Sequence, residues 1–407
     1  MKILHTSDWH LGATFEGIGR EEDHKFFLNW LIPFLKEQEI VVLIIAGDLF
    51  DQTQPSAEAQ RIYYQFLLSV SQKTDVKKVI IVGGNHDSPT RLDAPAELLK
   101  LLDVFIVGGI SVDGKDFSRY LCSLKNEQNA VELVVAAVPF IHEYRLGVRT
   151  SMHNESEIHS LFKEKIQNFY FDLADAAEQI AQDAPIIATG HMACRGSELD
   201  DAPQEIHMIG TMGGLPSAIF DSRYSYIALG HIHRAYRVEQ SNAYYSGSPI
   251  PLSIKESNYP RYVQLISYEK GSKAKTVQKI EVPVLRKILE VKSNLEQIHS
   301  ILLNISWQTP MPPILAISVQ VNSYHSGLDL ELKNILKNKF QDASPIIAYI
   351  RQIPAKSDNN VLASKEAFSL KELTPEQVFL KMCDTYNEIV DENLLQAFRS
   401  LLNEENI

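Results

Sequence analysis

Five short groups of acidic, imidazole and amide residues stand out because each of them could hold a metal ion. Their carboxylate, imidazole and amide groups are ligands that Mn²⁺, Fe²⁺ and Zn²⁺ accept. A carboxylate that bridges two such cations about 3.5–4 Å apart is used to catalyse in-line displacement at phosphorus. The pattern therefore predicts a centre for two divalent metal ions. The five groups are Asp8-Trp9-His10, Gly47-Asp48-Leu49-Phe50-Asp51, Gly84-Asn85-His86-Asp87, Gly190-His191 and Gly230-His231-Ile232-His233.

Each group directly follows an apolar run that predicts a buried β-strand. Apolar runs bounded by glycine are typical of parallel strands that are covered on both faces. Amphipathic patterns between the first runs predict helices, so the chain begins as a series of βαβ units. Such units place their loops at the carboxyl ends of the strands, and we expect the five groups to meet in one crevice. The predicted strands are Lys2–Thr6, Val41–Ala46, Val79–Val82, Pro185–Thr189 and Ser225–Leu229.

A structural interpretation of these residues has to be weighed against the metal site. A single aspartate at a strand end is often a turn residue, and a single buried histidine is more often hydrogen-bonded in the core than a ligand. Five such groups in order, each after an apolar run, are hard to explain in that way. The remaining histidines, among them His5, His24 and His207, are interpreted as structural or surface residues.

The five groups resemble the motifs of the calcineurin-like metallophosphoesterases. Four longer segments resemble, more specifically, the nuclease subunit of bacterial double-strand-break repair nucleases. They are Thr6–Gly12, Ala46–Asp51, Asn85–Ser88 and Ala228–His233. The resemblance covers most of the chain. It implies an α/β fold in the form of a four-layer α-β-β-α sandwich, followed by a small α/β capping domain and a C-terminal helical tail.

The same resemblance implies a role for each site residue. Asp48 would bridge two divalent metal ions, with Mn²⁺ as the expected metal, and His86 would be the catalytic histidine that stabilises the transition state or protonates the leaving oxygen. One position departs from the family pattern: relatives from archaea and eukaryotes carry a histidine where this chain has Asp51. The implied ligands are Asp8, His10, Asp48 and His233 for the first metal ion (site 1) and Asp48, Asn85, His191 and His231 for the second (site 2).

The length of 407 residues predicts two or three domains. We predict a nuclease domain over 1–270, a DNA-facing capping domain over 281–355 and a partner-binding helical segment over 370–407. The last segment carries three basic and eight acidic residues, which suits a protein partner better than DNA. Its apolar stripe could instead pack against its own domain.

Composition narrows the location of the protein. The N-terminus has no apolar signal segment, and no apolar run approaches the roughly 18–20 residues of a membrane span. The three cysteines are too few for a disulfide scaffold. We therefore expect a cytoplasmic protein with no membrane partner. The net charge of −12 argues against a protein that binds nucleic acid by charge alone, but bound divalent cations would add local positive charge.

Three functions are considered. The resemblance implies a DNA nuclease of repair and recombination that acts as an exonuclease on duplex ends and an endonuclease on single strands or hairpins. Its implied partners are DNA, a second copy of its nuclease domain and an SbcC-type ATPase that hydrolyses ATP. The alternatives are a small-molecule or cyclic-nucleotide metallophosphodiesterase and a scaffold without metals. The presence of all seven expected ligands counts against the scaffold, and the long segment after residue 270 counts against a small-molecule enzyme.

Overall fold

Two mixed β-sheets of six strands each lie face to face in a computed structural model, which describes residues 1–111, 116–148, 155–194, 214–269, 272, 274–354, 379–380, 383 and 394–399. The spatial order of the first sheet is β14 (Lys275–Val282), β13 (Arg261–Tyr268), β1 (Lys2–Thr6), β4 (Ile40–Ala46), β5 (Lys78–Val82) and β6 (Val104–Val107). The neighbouring strands β1, β4, β5 and β6 run parallel, and β13 joins β1 antiparallel.

The second sheet has a parallel centre and antiparallel edges. The spatial order is β11 (Tyr236–Arg237), β12 (Ala243–Tyr245), β10 (Tyr224–Gly230), β9 (Ile186–His191), β8 (Val131–Ala136) and β7 (Leu121–Lys125). Strands β8, β9, β10 and β12 are parallel to one another, whereas β7 and β11 pair antiparallel at the two edges. Both sheets are therefore mixed, and the predicted α/β class is confirmed.

Helices cover the outer faces of the sheets. Helices α1 (Glu21–Glu37) and α2 (Ala57–Lys73) share one core with one side of the first sheet, and α5 (Glu155–Ala181) packs on the second sheet, where its buried residues join a core that includes residues of both sheets. Serine before an amphipathic pattern predicts a helix N-cap, and Ser56 confirms this at α2, because its side chain accepts a hydrogen bond from the Ala59 N–H at 3.1 Å. Shorter elements complete this region: β2 (Thr14–Phe15), β3 (Ile18–Gly19), α3 (Pro89–Asp93) and α4 (Ala96–Leu99).

Pro33 lies inside the amphipathic pattern of helix α1 and predicts a kink or an early stop there; the early stop is wrong. The helix continues to Glu37. Pro33 lies on the exposed face, while Leu31 and Leu35 on the opposite face are fully buried. The carbonyl that loses its hydrogen bond to the proline belongs to Asn29, which is also exposed and can bind water. Burial of the apolar face therefore outweighs the loss of one hydrogen bond.

Residues 288–354 form a small three-stranded parallel sheet with two helices. The strands β15 (Ile288–Asn294), β16 (Ile314–Val321) and β17 (Ile346–Pro354) lie side by side in that order, and α6 (Leu295–Asn304) and α7 (Leu328–Phe340) pack on them around a separate core. Residues 1–354 form one compact unit and residues 355–407 a second one. The predicted boundaries at 281–355 and the DNA-facing role stay predictions.

Most of the predicted C-terminal segment lies outside the described residues, including Thr374–Gln377, a sequence that predicts the start of a helix, and the apolar Leu401 and Leu402. Within the part that is described, residues 394–399 are helical. The rings of Phe379 and Phe398 stack with their centroids 4.1 Å apart. None of the helices in the described ranges is long and apolar enough to cross a membrane.

Candidate metal centre

The five predicted groups lie at the carboxyl ends of β1, β4, β5, β9 and β10. The first two loops continue the pairing of β1 and β4 beyond the strands, because the Asp8 N–H donates to Gly47 O and the His10 N–H donates to Asp48 O, both at 3.0 Å. The loops after β9 and β10 approach from the second sheet, and the His231 N–H donates to Asp8 Oδ1 at 2.8 Å. The centre is therefore assembled between the ends of two sheets, as ligand sites of α/β folds commonly are.

Four of the site residues have a left-handed backbone conformation. The φ angles are 53° at Asp8, 49° at His10, 48° at Asp48 and 92° at His231. Residues other than glycine adopt such angles rarely, at a cost of about 1–3 kcal/mol each, and they concentrate at functional sites. The chain bends sharply at each of these residues, and the hydrogen bonds between the loops hold them there.

Two glycines allow the loops and strands around the centre to approach one another closely. A Cβ atom on Gly230 would overlap with the carbonyl oxygen of Ala46 in the other sheet. A Cβ atom on Gly84 would overlap with the Asp48 carboxylate. Glycine before a site residue therefore serves close packing of the loops.

The side chains predicted for site 1 converge. Ligand atoms of Asp8, His10 and His233 lie within 4.8 Å of one another. The Nε2 atoms of His10 and His233 are 3.2 Å apart. The Nε2 atom of His10 is 3.5 Å from Oδ2 of Asp48.

The side chains predicted for site 2 converge on the other side of Asp48. The Nε2 atom of His191 is 3.2 Å from Asp48 Oδ2. The Asn85 Oδ1 atom lies 3.1 Å from His191 Nε2 and 3.0 Å from His231 Nδ1. One amide oxygen and two imidazoles thus face the same point.

These distances fit bound cations. Ligand atoms at about 2.1 Å from one cation and about 90° apart lie about 3 Å from each other, close to the 3.0–3.5 Å separations between the ring nitrogens and oxygens of the centre. Asp48 Oδ2 is the atom within reach of both His10 and His191. The donor set of carboxylate, imidazole and amide groups therefore fits two divalent metal ions with Asp48 between them.

Proximity alone does not divide the ligands between two ions. Ligand atoms of His10, Asp48 and His86 also lie within 4.8 Å of one another, and so do those of Asp8, Asp48 and His191. The assignment of individual residues to site 1 and site 2, and of His86 to catalysis rather than coordination, stays a prediction.

Burial and the charges of neighbouring groups shift the pKa values of the imidazoles at the centre in different directions. Burial opposes the charged form of His191, but the nearby negative charges of Asp48 and Asp8 raise the pKa of this imidazole to about 9. Burial also opposes protonation of His10, whose pKa is nevertheless raised by the hydrogen bond with Asp51 and the charge of Asp48. Burial and the charge of His191 lower the pKa of His231 to about 3. A cation binding here would compete with protons for the same lone pairs.

His86 is held beside the ligands by its own loop. Its backbone N–H donates to Asp48 Oδ1 at 2.9 Å, and its ring Nδ1 donates to the backbone carbonyl of Asp51 at 2.8 Å. Because a carbonyl oxygen can only accept, Nδ1 carries a proton and Nε2 is the nitrogen available for proton exchange. Asp51 contributes a second contact, from its Oδ1 to His10 Nδ1 at 3.2 Å.

Two supporting residues were given no role by the sequence. The buried Asp87 accepts hydrogen bonds from the backbone N–H groups of Leu49, Phe50 and Gly84. Its position inside a motif was a usable signal. Glu256 places Oε1 3.2 Å from Nδ1 of His233, and no motif surrounds it. The core histidines His5 and His24 are hydrogen-bonded to Tyr226 and to the Trp9 carbonyl, as interpreted, whereas His207 lies outside the described residues.

Comparison with known proteins gives consistent matches. The profile of the family described as calcineurin-like phosphoesterase matches residues 1–235. The SbcD subunit of the nuclease SbcCD from Escherichia coli (strain K12) is 30% identical over 383 residues, which cover 93% of this chain and 92% of that protein. The SbcD proteins of Rhodobacter capsulatus and Bacillus subtilis are 32% and 28% identical, over 70% and 67% of this chain and 71% and 68% of their own lengths.

Proposed function

The chain belongs to the calcineurin-like phosphoesterases and, within them, to the SbcD nuclease subunits, and from this premise we propose that it hydrolyses DNA phosphodiesters with two divalent metal ions bound at the centre described above. The observation that carries the proposal is the position of Asp48 Oδ2, 3.5 Å from His10 Nε2 and 3.2 Å from His191 Nε2. A single carboxylate between two sets of ligands is what two-metal hydrolysis at phosphorus requires.

The residues of the chain divide the work as follows. Asp8, His10, Asp48 and His233 would hold one cation, and Asp48, Asn85, His191 and His231 the other. Bound cations would supply positive charge to the phosphate oxygens and activate a water molecule. The His86 ring is fixed through Nδ1–H, and in its imidazolium form it would carry a second proton on Nε2, which would stabilise the transition state or pass to the leaving oxygen. We propose Mn²⁺ because four imidazoles suit it better than Mg²⁺, which prefers oxygen ligands.

An assay with two classes of substrate separates this proposal from the alternative of a small-molecule or cyclic-nucleotide phosphodiesterase. Linear duplex DNA, a hairpin and single-stranded DNA are incubated with the protein and Mn²⁺, beside a panel of nucleotides and cyclic nucleotides. We expect degradation of the duplex from its ends and cleavage of the single strand or hairpin. Turnover of nucleotides while all three DNA substrates stay intact would refute the nuclease proposal.

The capping role of 281–355 is proposed from charge and position. Lys333, Lys337 and Lys339 on α7 are exposed and could contact DNA phosphates. Replacing Lys333 and Lys337 by glutamate should weaken duplex binding and reduce its dependence on salt, because two phosphate contacts are lost. Glu296→Lys on the neighbouring α6 is the control, because it changes the surface charge in the opposite direction. Unchanged binding and salt dependence in the double variant would contradict the capping role.

We also propose that residues 370–407 bind the SbcC-type ATPase through an apolar helix face. The stacked Phe379 and Phe398 join two parts of this segment. Leu394→Glu together with Phe398→Glu should abolish co-purification with the ATPase. Gln396→Glu with Ala397→Glu adds the same charge to exposed positions of the helix and should leave binding intact. Undiminished binding by a folded Leu394/Phe398 variant would refute the docking role.

A homodimer of nuclease domains is proposed from an exposed apolar surface. Tyr64 and Leu68 lie one turn apart on α2 and are 42% and 45% exposed. Leu98 and Leu101, in the segment that packs beside α2, are 68% and 79% exposed. Apolar side chains grouped in this way mark an interaction site. Light scattering should report a dimer for the wild type and a monomer for Leu68→Glu with Leu101→Glu; a dimeric double variant would contradict this interface.

A further inference from the structure

The four histidines of the centre differ in what they contact on the side away from the predicted cations. Nδ1 of His10 is 3.2 Å from the Asp51 carboxylate, and Nδ1 of His233 is 3.2 Å from the Glu256 carboxylate. Nδ1 of His191 instead donates to the Ala46 carbonyl at 2.9 Å. Among the described residues, the ring of His231 has no outward carboxylate partner.

We propose that Glu256 is a positioning residue for His233 and that Glu256 and Asp51 together make site 1 the tighter site, which is filled before site 2. This inference rests on the proposed metal-dependent function. A carboxylate on the outer nitrogen of a ligand histidine fixes its tautomer and ring orientation and makes the inner nitrogen a stronger donor. A carbonyl partner fixes the ring but adds no negative charge.

Glu256 is itself held firmly enough to orient another residue. It is 9% exposed, and Oε2 accepts hydrogen bonds from Arg261 Nη1 at 3.0 Å and the Leu252 N–H at 3.2 Å. Oε1 accepts from the Ser253 hydroxyl at 3.1 Å in addition to its contact with His233. Arg261 Nη1 also donates to the backbone carbonyl of His233 at 3.1 Å. The same arginine thus fixes both the ligand and its partner.

Charge distinguishes the two carboxylates. Arg261 lies 3.0 Å from Glu256 and offsets part of its charge, so Glu256 acts through its remaining negative charge as well as through the orientation of the His233 ring. Asp51, whose side chain is 28% exposed, contacts His10 without a cationic partner among the described residues. It therefore adds net negative charge next to site 1. This assigns a function to the Asp51 carboxylate.

The test measures Mn²⁺ binding to the metal-free, full-length protein by calorimetry, with the manganese spin signal recorded at one and two equivalents. We expect two separate binding steps in the wild type, with an isolated-ion spectrum at one equivalent. Glu256→Gln, which keeps the side-chain shape, should weaken the first step about 10- to 100-fold and leave the second nearly unchanged. Asn85→Ala should remove the second step only. Glu239→Gln, on an exposed glutamate, is the matched control.

A purely structural role for Glu256 would show itself differently. Glu256→Gln would then lower the unfolding temperature of the metal-free protein and leave the first binding step unchanged, which would overturn the inference. Two equal steps in the wild type would overturn it as well. A wild-type protein that binds no Mn²⁺ would refute both the metal-dependent function and the inference, whereas two normal binding steps without DNA cleavage would refute only the proposed DNA hydrolysis and leave the inference standing.

Discussion

The carboxylate of Asp87 connects the two loops that carry Asp48 and His86, and its removal is the sharpest test of how the centre is assembled. Oδ2 accepts the N–H groups of Leu49 at 3.0 Å and Gly84 at 2.9 Å, and Oδ1 accepts the Phe50 N–H at 2.9 Å. Asp87 is 4% exposed. Water therefore cannot readily replace it as an acceptor.

The substitution Asp87→Asn keeps the size of the side chain but offers only one acceptor oxygen. In its best orientation the amide oxygen serves two of the N–H groups, and its NH₂ group faces the third. A buried N–H without an acceptor costs about 1–3 kcal/mol. Burial raises the pKa of Asp87 to about 6, so the neutral amide recovers part of this cost by avoiding a buried charge. The net loss of stability should therefore be smaller than the cost of the unmade hydrogen bond alone, about 1 kcal/mol.

The effect on turnover should exceed the effect on stability. A displacement of about 1 Å between reacting groups can lower a rate by about 100-fold, and Asp87 fixes the distance between the loops of Asp48 and His86. The assay is DNA hydrolysis at saturating Mn²⁺ beside denaturant unfolding. Asp93→Asn is the control. Asp93 lies in α3 and also accepts a hydrogen bond from a backbone N–H, that of Gly108, but it does not connect the loops of Asp48 and His86. If Asp87→Asn hydrolysed DNA within about twofold of the wild type, the role of Asp87 as a connector between the loops would be refuted.

Further predictions concern the metal centre and the core. Asp8→Ala or His10→Ala should abolish activity, whereas His86→Ala should keep Mn²⁺ binding and lose about 100- to 10,000-fold in turnover; a His86 variant with near-wild-type rates would contradict its assigned role. Chelation by EDTA should stop the reaction, and Mn²⁺ should restore it better than Mg²⁺, so equal restoration would count against an imidazole-rich centre. Burial lowers the pKa of His5 to about 3 and that of His24 to about 4. Below about pH 6.5 these two histidines take up protons in the unfolded chain but not in the folded chain. Each of the two histidines should therefore lower the free energy of unfolding by about 2 kcal/mol at pH 5. Denaturant titrations at pH 7 and 5 would show this loss, and His24→Gln should reduce it.

The sequence by itself determined the α/β class, the strands and the chemistry of the centre. Apolar runs mark buried strands because burial on both faces leaves no polar position, and the predicted strand at Val41–Ala46 agrees with β4 to within one residue. The Asp, His and Asn residues after these runs were recognisable because ligand chemistry resides in the side-chain type itself. The capping signal at Ser56 was equally local.

Only the tertiary structure decided which residues support the ligands. Glu256 lies 23 residues after His233, and their contact depends on how β13 and the loop before it pack, which no local pattern encodes. The left-handed backbone of Asp8, His10 and Asp48 likewise arises from hydrogen bonds between loops that are distant in sequence. Helix α1 continues through Pro33 because burial against the first sheet outweighs a local preference. Local preferences are weak compared with the free energy of packing, so tertiary contacts decide such positions.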